Sequence, residues 1–207
     1  MTIHHNITKK TYTYNGGEVK KKPGSFPLYY RVLPSALGDM GIIWIKRDGP
    51  SIIHIILPEG GAEAIARIDE NYPEASEDSH EKIDEMCEKI VRYLAGEPVR
   101  FSMTFLDIDR CYDFQKKVLL KSAEIPRGRI ISYGGLAEKI FAPCASRAVG
   151  TALARNPFPI ILPCHRVVKA SGYPGQYGGG ADTKKRLLEM EGVLFDDGGK
   201  IEGRFFW

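Results

Sequence analysis

The stretch that decides the fold covers residues 132–155 and reads SYGGLAEKIFAPCASRAVGTALAR. Ser132 occupies an N-cap position, because a serine hydroxyl placed just before a helix accepts hydrogen bonds from the free N–H groups of the first turn. We predict one helix over residues 133–141, a proline-containing break at residues 142–144, and a second helix over residues 145–155. Two short helices joined by a tight turn are typical of a helix-turn-helix unit.

Downstream of this unit the sequence predicts an extended segment, a glycine-rich loop and one more helix. Three prolines between residues 157 and 163 exclude a helix, so we expect residues 160–162 to be extended. After the glycine-rich loop, Asp182 or Thr183 is expected to cap a helix, and Gly192 is expected to end it.

Upstream, the chain predicts a small sheet with packed helices. Runs rich in Ile, Tyr, Val and Trp predict strands over residues 28–33, 40–47 and 51–57. A helix is expected near residues 62–71. A longer helix follows, because five apolar residues repeat at helical spacing and form one face: Ile83, Met86, Ile90, Val91 and Leu94.

Length and charge indicate two domains in a mixed α+β or α/β fold. A chain of 207 residues can bury one large core or two small ones. Residues 1–108 carry 13 Lys/Arg and 16 Asp/Glu, whereas residues 109–207 carry 16 and 10. We therefore expect an acidic N-terminal domain over 1–108 and a basic C-terminal domain over 109–207, which alone would meet a polyanion. Chance and solubility explain the asymmetry equally well.

Composition also bounds the location and the cofactors. No apolar run approaches the roughly 20 residues that cross a bilayer, and residues 1–5 lack a signal-peptide pattern. We expect no membrane contact and a cytoplasmic location, or a nuclear one if the source is eukaryotic. Four cysteines without a CxxC pair indicate a reducing compartment. We expect no metal site and no cofactor, and a monomer.

The segment Pro163-Cys164-His165-Arg166 carries the clearest chemistry. A thiol becomes a good nucleophile as a thiolate, which needs a nearby base or positive charge. His165 and Arg166 supply both kinds of group. Adjacent side chains usually point apart, so a bridging water or a sharp turn is needed to couple Cys164 to His165. Taken alone, the pattern fits an inert buried thiol better than a nucleophile, because an inert core thiol is the commoner case.

In context, this segment resembles the O6-alkylguanine-DNA alkyltransferases, also called methylated-DNA–protein-cysteine methyltransferases. The resemblance runs from about residue 114 to residue 192, and its motifs follow the family's order and spacing. They are GRIISY at 128–133, RAVG at 147–150, NP at 156–157, ILPCHRVV at 161–168, YGGG at 177–180, and LL with EG at 187–192.

The resemblance implies a direct-reversal repair reaction in which Cys164 takes the alkyl group of O6-alkylguanine in a single turnover. His165 would accept the thiol proton through a water molecule, and Glu191 would hold His165 in place. Tyr133 would donate toward guanine N3 as the base leaves, and Asn156 would fix the turn that carries the cysteine. Without the family, we would read Glu191 as a solvated carboxylate at a helix end and Tyr133 as an interfacial aromatic residue.

The resemblance further implies binding of double-stranded DNA and extrusion of the damaged base from the stack. Arg147 would fill the vacated space, and the second helix would approach the minor groove. We assign DNA contacts to Arg147, Ala148, Gly150, Thr151 and Arg155. A surface salt bridge for the arginine and close helix packing for the small residues are the alternatives.

For the substrate pocket, the resemblance implies that the Val167 carbonyl contacts the guanine amine and that Tyr177, Gly178 and Gly179 wall the base. Alkylated thymine, modified at O4, would also be accepted. The implied fold is an N-terminal ribonuclease-H-like α/β domain followed by a C-terminal winged helix-turn-helix domain. Gly178 stands where some relatives have serine, so a hydroxyl contribution is absent at that position.

Two other classes of protein stay open on the sequence. One is a non-catalytic DNA-binding protein of the alkyltransferase-like type, which has the same fold without the cysteine; Cys164 counts against it. The other is a thiol hydrolase that uses Cys164 and His165, for which the predicted helix-turn-helix unit and the basic half offer no cleft.

Overall fold

The computed structural model describes residues 13–14, 17–18, 26–58 and 63–207. It is a mixed fold of helices and small sheets, as the sequence predicts. A short antiparallel pair, β1 (Thr13–Tyr14) and β2 (Gly17–Glu18), comes first. Among the described residues, no helix combines the length and the apolar character that crossing a bilayer requires.

A four-stranded sheet forms the centre of the N-terminal half. Its strands lie in the order β5-β4-β3-β6, with β6 parallel to β3 and the other pairs antiparallel. The three predicted strands are confirmed with small shifts of their ends, and the fourth is a two-residue strand that the sequence did not reveal. The strands are β3 (Leu28–Leu33), β4 (Met40–Lys46), β5 (Pro50–Ile56) and β6 (Ser76–Glu77).

Two helices cover the two faces of this sheet. Ile68 of α1 (Ala64–Asn71) packs with Ile43 and the other side chains of one face. Ile90 of α2 (Glu81–Leu94) belongs to the cluster of buried side chains on the other face. Because both faces are covered, β4 is buried along its whole length except at its last residue.

The predicted apolar face of α2 is wrong at one residue. Val91 is exposed, whereas Tyr93 is buried. Each residue advances a helix by about 100°, so Val91 turns away from Ile90 while Tyr93 comes back beside it. The packed face of α2 therefore ends in a buried tyrosine hydroxyl, which the site described below uses.

The C-terminal half contains four α-helices and one short parallel strand pair, together with short 3-10 helices. The helices are α3 (Asp113–Ser122), α4 (Tyr133–Lys139), α5 (Ser146–Ala154) and α6 (Ala181–Met190), and the strands are β7 (Ile131–Ser132) and β8 (Val167–Val168). One continuous cluster of buried side chains joins the two halves and includes Trp44 and Ile90 as well as Val149 and Leu187. The Ile55 N–H also donates to the Pro157 carbonyl oxygen at 2.8 Å.

The helix ends follow the predicted chemistry in part. The Ser132 hydroxyl accepts from the Gly135 N–H at 2.9 Å, as the N-cap prediction requires. Gly192 follows α6 with a φ of +87°, which confirms it as the terminating glycine. The cap predicted at Asp182 or Thr183 is wrong, because α6 begins earlier, and no side chain among the described residues caps its first turn.

The proline-rich segment is a turn, which corrects the predicted extended run over 160–162. The Leu162 N–H donates to the Phe158 carbonyl oxygen at 2.9 Å, and Ile160 takes a φ of +73°. Proline fixes only its own φ near −65°, a value that turns also use. The turn is held because its apolar side chains are buried, and it delivers the chain to Cys164.

Replacing Ser132 by alanine should lower the free energy of unfolding by about 1 kcal/mol, because it removes the N-cap hydrogen bond of α4. Urea denaturation of Ser132→Ala measures this, with Ser76→Ala as the control, since Ser76 is an exposed residue of β6. Equal unfolding midpoints for the two variants would contradict the assigned cap.

Candidate active site

The candidate nucleophile, Cys164, is buried at the start of a one-turn 3-10 helix, Cys164–Arg166, with 7% of its surface exposed. Its Sγ accepts a hydrogen bond from Asn156 Nδ2 at 3.1 Å. Burial raises the pKa of the Cys164 thiol, while the Asn156 hydrogen bond and the positive charge of Lys184 act in the opposite direction. The resting thiol is therefore neutral and needs a base before it can react.

His165, the next residue, is the candidate for that base. Its imidazole is buried, and Nε2 lies 3.1 Å from Glu191 Oε1. Among the described residues, Nδ1 has no hydrogen-bond partner. Burial lowers the pKa of His165, and Glu191 opposes that shift. A neutral imidazole held at Nε2 and bare at Nδ1 can take up one proton, and the carboxylate then stabilises the resulting cation.

Glu191 is the most densely paired group in the site. It closes α6, and its carboxylate accepts from Arg166 Nη2 at 2.7 Å, from the Gly128 N–H at 3.2 Å and from the Tyr93 hydroxyl. Burial acts to raise the pKa of Glu191, but the charges and hydrogen bonds of His165 and Arg166 outweigh it and hold that pKa well below its usual range. Glu191 therefore stays ionised although it is buried.

Asn156 fixes the turn that carries the cysteine. Its Nδ2 donates to the Leu162 carbonyl oxygen at 2.8 Å as well as to Cys164 Sγ, and its Oδ1 accepts from the Phe158 N–H at 2.9 Å. The amide thus bridges both ends of the proline-rich turn, which is the position that the sequence analysis assigned to it.

The residues assigned to the substrate pocket are Val167, Tyr177, Gly178 and Gly179, and Tyr133 is assigned to the reaction itself. Tyr133, half-buried at the first position of α4, faces Lys184, whose Nζ is 5.8 Å from the centre of its ring. The Tyr177 ring meets His165 edge-on at 6.5 Å. A Cβ at Gly178 would meet no atom of the described residues within 4 Å, whereas one at Gly179 would lie 3.2 Å from a methyl of Leu57.

The residues assigned to DNA lie on α5 and at its end. Arg147, Ala148 and Thr151 are exposed on one side of the helix, and Gly150 and Arg155 are partly exposed. The Arg155 carbonyl oxygen accepts from Gln115 Nε2 at 2.7 Å, which ties the end of α5 to α3. The exposed face presents one arginine and small side chains, so a close approach of another surface is sterically open.

Two buried polar residues of the site were missed by the sequence analysis. Lys184 on α6 is 1% exposed, and its Nζ donates to the Val167 carbonyl oxygen at 2.6 Å. Burial lowers the pKa of Lys184 to about 8. Tyr93 on α2 reaches the His165–Glu191 pair from the N-terminal half. Helical spacing would have placed Tyr93 in the core, but no local signal distinguishes Lys184 from the exposed Lys185.

In the described part of the chain, no three His, Cys, Asp or Glu side chains come close enough to hold a metal ion. The four cysteines are all unpaired, and they differ in access: Cys87 and Cys164 are buried, Cys111 is partly buried and Cys144 is exposed. The arrangement joins a buried thiol to a neighbouring buried histidine whose Nε2 contacts an ionised carboxylate, and proteins that use a thiol nucleophile share these three groups.

Comparisons with known proteins agree with this class. A family model described as 6-O-methylguanine DNA methyltransferase, DNA binding domain, matches residues 113–193. A methylated-DNA–protein-cysteine methyltransferase of Methanothermobacter thermautotrophicus is 39% identical over 158 residues, which cover 76% of this chain and 82% of the relative. Another, from Methanosarcina acetivorans, is 33% identical over 80% of this chain and 99% of its own length.

A solved structure agrees as well. The Mycobacterium tuberculosis OGT in complex with DNA superposes with a TM-score of 0.66 and 34% identity, covering 79% of this chain and 92% of that one. The chain belongs to the methylated-DNA–protein-cysteine methyltransferase family.

Replacing Lys184 by methionine should raise the pKa of the Cys164 thiol further, because it removes a buried positive charge that favours the thiolate. The increase should be smaller than a full buried charge would give, because Lys184, with a pKa of about 8, has lost part of its charge in the alkaline range where a thiol of raised pKa titrates. The pH dependence of the Cys164 13Cβ chemical shift measures this. Lys185→Met is the matched control, since Lys185 is the next residue of α6 and its side chain is 50% exposed. A thiol that titrates identically in all three proteins would contradict the role of the charge.

Proposed function

We propose that the protein repairs DNA by direct reversal, moving the alkyl group of O6-alkylguanine, and of O4-alkylthymine, onto Cys164 Sγ. The observation that carries this proposal is the buried thiol next in sequence to a histidine whose Nε2 contacts Glu191 and whose Nδ1 has no hydrogen-bond partner in the described part of the chain. Membership in the methyltransferase family supports the choice of reaction.

The proposed step balances in atoms and electrons. The Cys164 proton passes to His165 Nδ1 through a water molecule, and the thiolate attacks the alkyl carbon. The new S–C bond forms as the C–O6 bond breaks, and that electron pair leaves with the base. Tyr133 donates toward guanine N3 as negative charge builds there, and the ionised Glu191 stabilises the imidazolium. The thioether product is stable, so each chain acts once.

The pocket is proposed to select guanine through the Val167 carbonyl, with Tyr177, Gly178 and Gly179 as walls. This carbonyl oxygen already accepts from Lys184, and a carbonyl has a second lone pair for the guanine amine. In this proposal a backbone N–H of the loop donates to O6, and a Cβ built at Gly178 would meet no atom of the described residues within 4 Å, so the loop is uncrowded at that position.

The partner is proposed to be double-stranded DNA bound by the C-terminal half. In this proposal, residues 109–207 form a winged helix-turn-helix domain in which α4 and α5 are the two helices, and residues 1–108 form a ribonuclease-H-like supporting domain. Arg147 enters the stack when the damaged base leaves it, and Ala148, Gly150, Thr151 and Arg155 contact the groove and the backbone. The exposed arginine and small side chains on one side of α5 support this docking face.

We further propose that the protein acts as a monomer in the cytoplasm, or in the nucleus if its source is eukaryotic. The binding-only alternative is disfavoured because it gives no role to a thiol placed beside a base. The hydrolase alternative is disfavoured because the small residues on α5 have no part in it.

Intact-protein mass spectrometry after incubation with an oligonucleotide containing one O6-methylguanine tests the reaction. We expect a gain of one methyl group per chain, mapped to the peptide that contains Cys164. Cys164→Ser should show no transfer while its affinity for the oligonucleotide is unchanged. Cys144→Ser, which removes the exposed thiol, should transfer at the wild-type rate.

An unmodified wild-type protein that still binds the lesion would sink the transfer reaction and favour the binding-only alternative. Transfer by Cys164→Ser would place the acceptor elsewhere, and the methylated peptide would identify it.

Replacing Arg147 by alanine should slow repair of duplex DNA by roughly 10- to 100-fold, because extruding a base costs a few kcal/mol that the inserted side chain offsets. Attack on free O6-benzylguanine, which needs no extrusion, should be unchanged. Arg92→Ala is the control, since Arg92 is an exposed arginine of the N-terminal half. Equal losses on the duplex and on the free base would move Arg147 from base extrusion to the chemistry.

A further inference from the structure

Tyr93 brings a hydroxyl group from the N-terminal half into the candidate active site. It lies near the end of α2 and is 1% exposed. Its oxygen is 3.2 Å from His165 Nε2 and donates a hydrogen bond to Glu191 Oε1. These two partners are 72 and 98 residues away along the chain. The contact is therefore made by the tertiary fold and not by a local turn.

The phenol ring is held on two sides by groups that have no part in the chemistry. Phe101 meets it edge-on with 5.5 Å between the ring centres, and the Arg127 guanidinium lies 5.2 Å from its centre. Arg127 is itself fixed, since it donates to the carbonyl oxygens of Gly96 and Met190. A ring held in this way keeps its hydroxyl group in one fixed position.

The hydroxyl keeps its proton and uses it on Glu191. Burial, and then the negative charge of Glu191, raise the pKa of Tyr93 far above its usual value. The phenol is therefore protonated, and can donate a hydrogen bond, throughout the pH range in which proteins stay folded. Because its proton points to Glu191 Oε1, the side of the oxygen that faces His165 carries a lone pair.

This arrangement determines which nitrogen of His165 carries the proton. Nε2 faces two acceptors, Glu191 Oε1 at 3.1 Å and the Tyr93 oxygen at 3.2 Å. If Nε2 carried no proton, its lone pair would face the lone pairs of these two oxygen atoms, which is unfavourable. The stable tautomer therefore has its proton on Nε2. Nδ1 is then the unprotonated nitrogen, and it is the one without a partner among the described residues.

We propose that Tyr93 is a positioning residue that holds His165 in the Nε2–H tautomer and so keeps Nδ1 free to accept the Cys164 proton. The inference rests on the proposed function for its chemical purpose, but its structural content, the tautomer, is independent of any DNA. It also gives the N-terminal half a part in the reaction beyond support.

The variant Tyr93→Phe tests this by removing one oxygen atom while keeping the ring that packs on Phe101 and Arg127. The matched control is Tyr72→Phe, because the Tyr72 hydroxyl also bonds a buried histidine, His54, at 2.8 Å in the same half of the chain. Two measurements are made on each: the 15N chemical shifts of the His165 ring, and the single-turnover rate of methyl transfer at saturating DNA.

The wild type and Tyr72→Phe are expected to show a protonated Nε2 and an unprotonated Nδ1. Tyr93→Phe should show a larger share of the Nδ1–H tautomer than the wild type and a transfer rate lower by roughly tenfold, which is about 1.4 kcal/mol in the barrier. Its affinity for the lesion should be unchanged, because no step of DNA binding uses the hydroxyl.

Wild-type tautomer shifts and a wild-type transfer rate in Tyr93→Phe would overturn the inference. A lower melting temperature with an unchanged tautomer and rate would do the same, because it would show a purely structural role. If the wild type transfers no methyl group, the proposed function fails, and the 15N shifts alone then decide the position of the His165 proton.

Discussion

The buried carboxylate of Glu191 is the constraint on which the site depends. An ionised carboxylate inside a protein costs several kcal/mol unless its oxygens are paired. Here the partners come from α2, from the turn at Gly128 and from the 164–166 helix, while Glu191 itself closes α6. Satisfying one charge therefore fixes four segments relative to one another. The pairing of Glu191 therefore holds the Cys164–Arg166 helix, with its cysteine and histidine, and the end of α6 in place relative to one another.

The groups around Cys164 act on the pKa of its thiol in opposite directions. Burial disfavours the thiolate, whereas Asn156, Lys184 and the backbone N–H groups of the 3-10 helix favour it. A thiol surrounded in this way is unreactive at rest and is activated by a proton acceptor that is already placed. Preorganised groups of this kind need no rearrangement at the moment of reaction. The same logic explains why Lys184 is buried at an energetic cost beside the site.

Much of this was accessible from the sequence, and the failures have physical reasons. The strands, the Ser132 cap and the neighbourhood of Cys164 follow from local patterns of apolar residues, caps and motifs. The prolines at 157, 159 and 163 led to a wrong prediction, because a proline that cannot continue a helix, for want of an N–H group, fits a turn as well as an extended segment. Tyr93 and Lys184 act through contacts 98 and 17 residues away along the chain, and such pairing has no local signature.

The difference in access between Cys144 and Cys164 has a chemical consequence for a molecule that reacts once. Small electrophiles that diffuse through a cell attack the thiols they can reach, and Cys144 is exposed whereas Cys164 is enclosed. Cys144 is therefore the thiol that such reagents reach first, and the burial of Cys164 limits their access to it, so that enclosing a thiol also protects it from reactions with reagents that are not held in place.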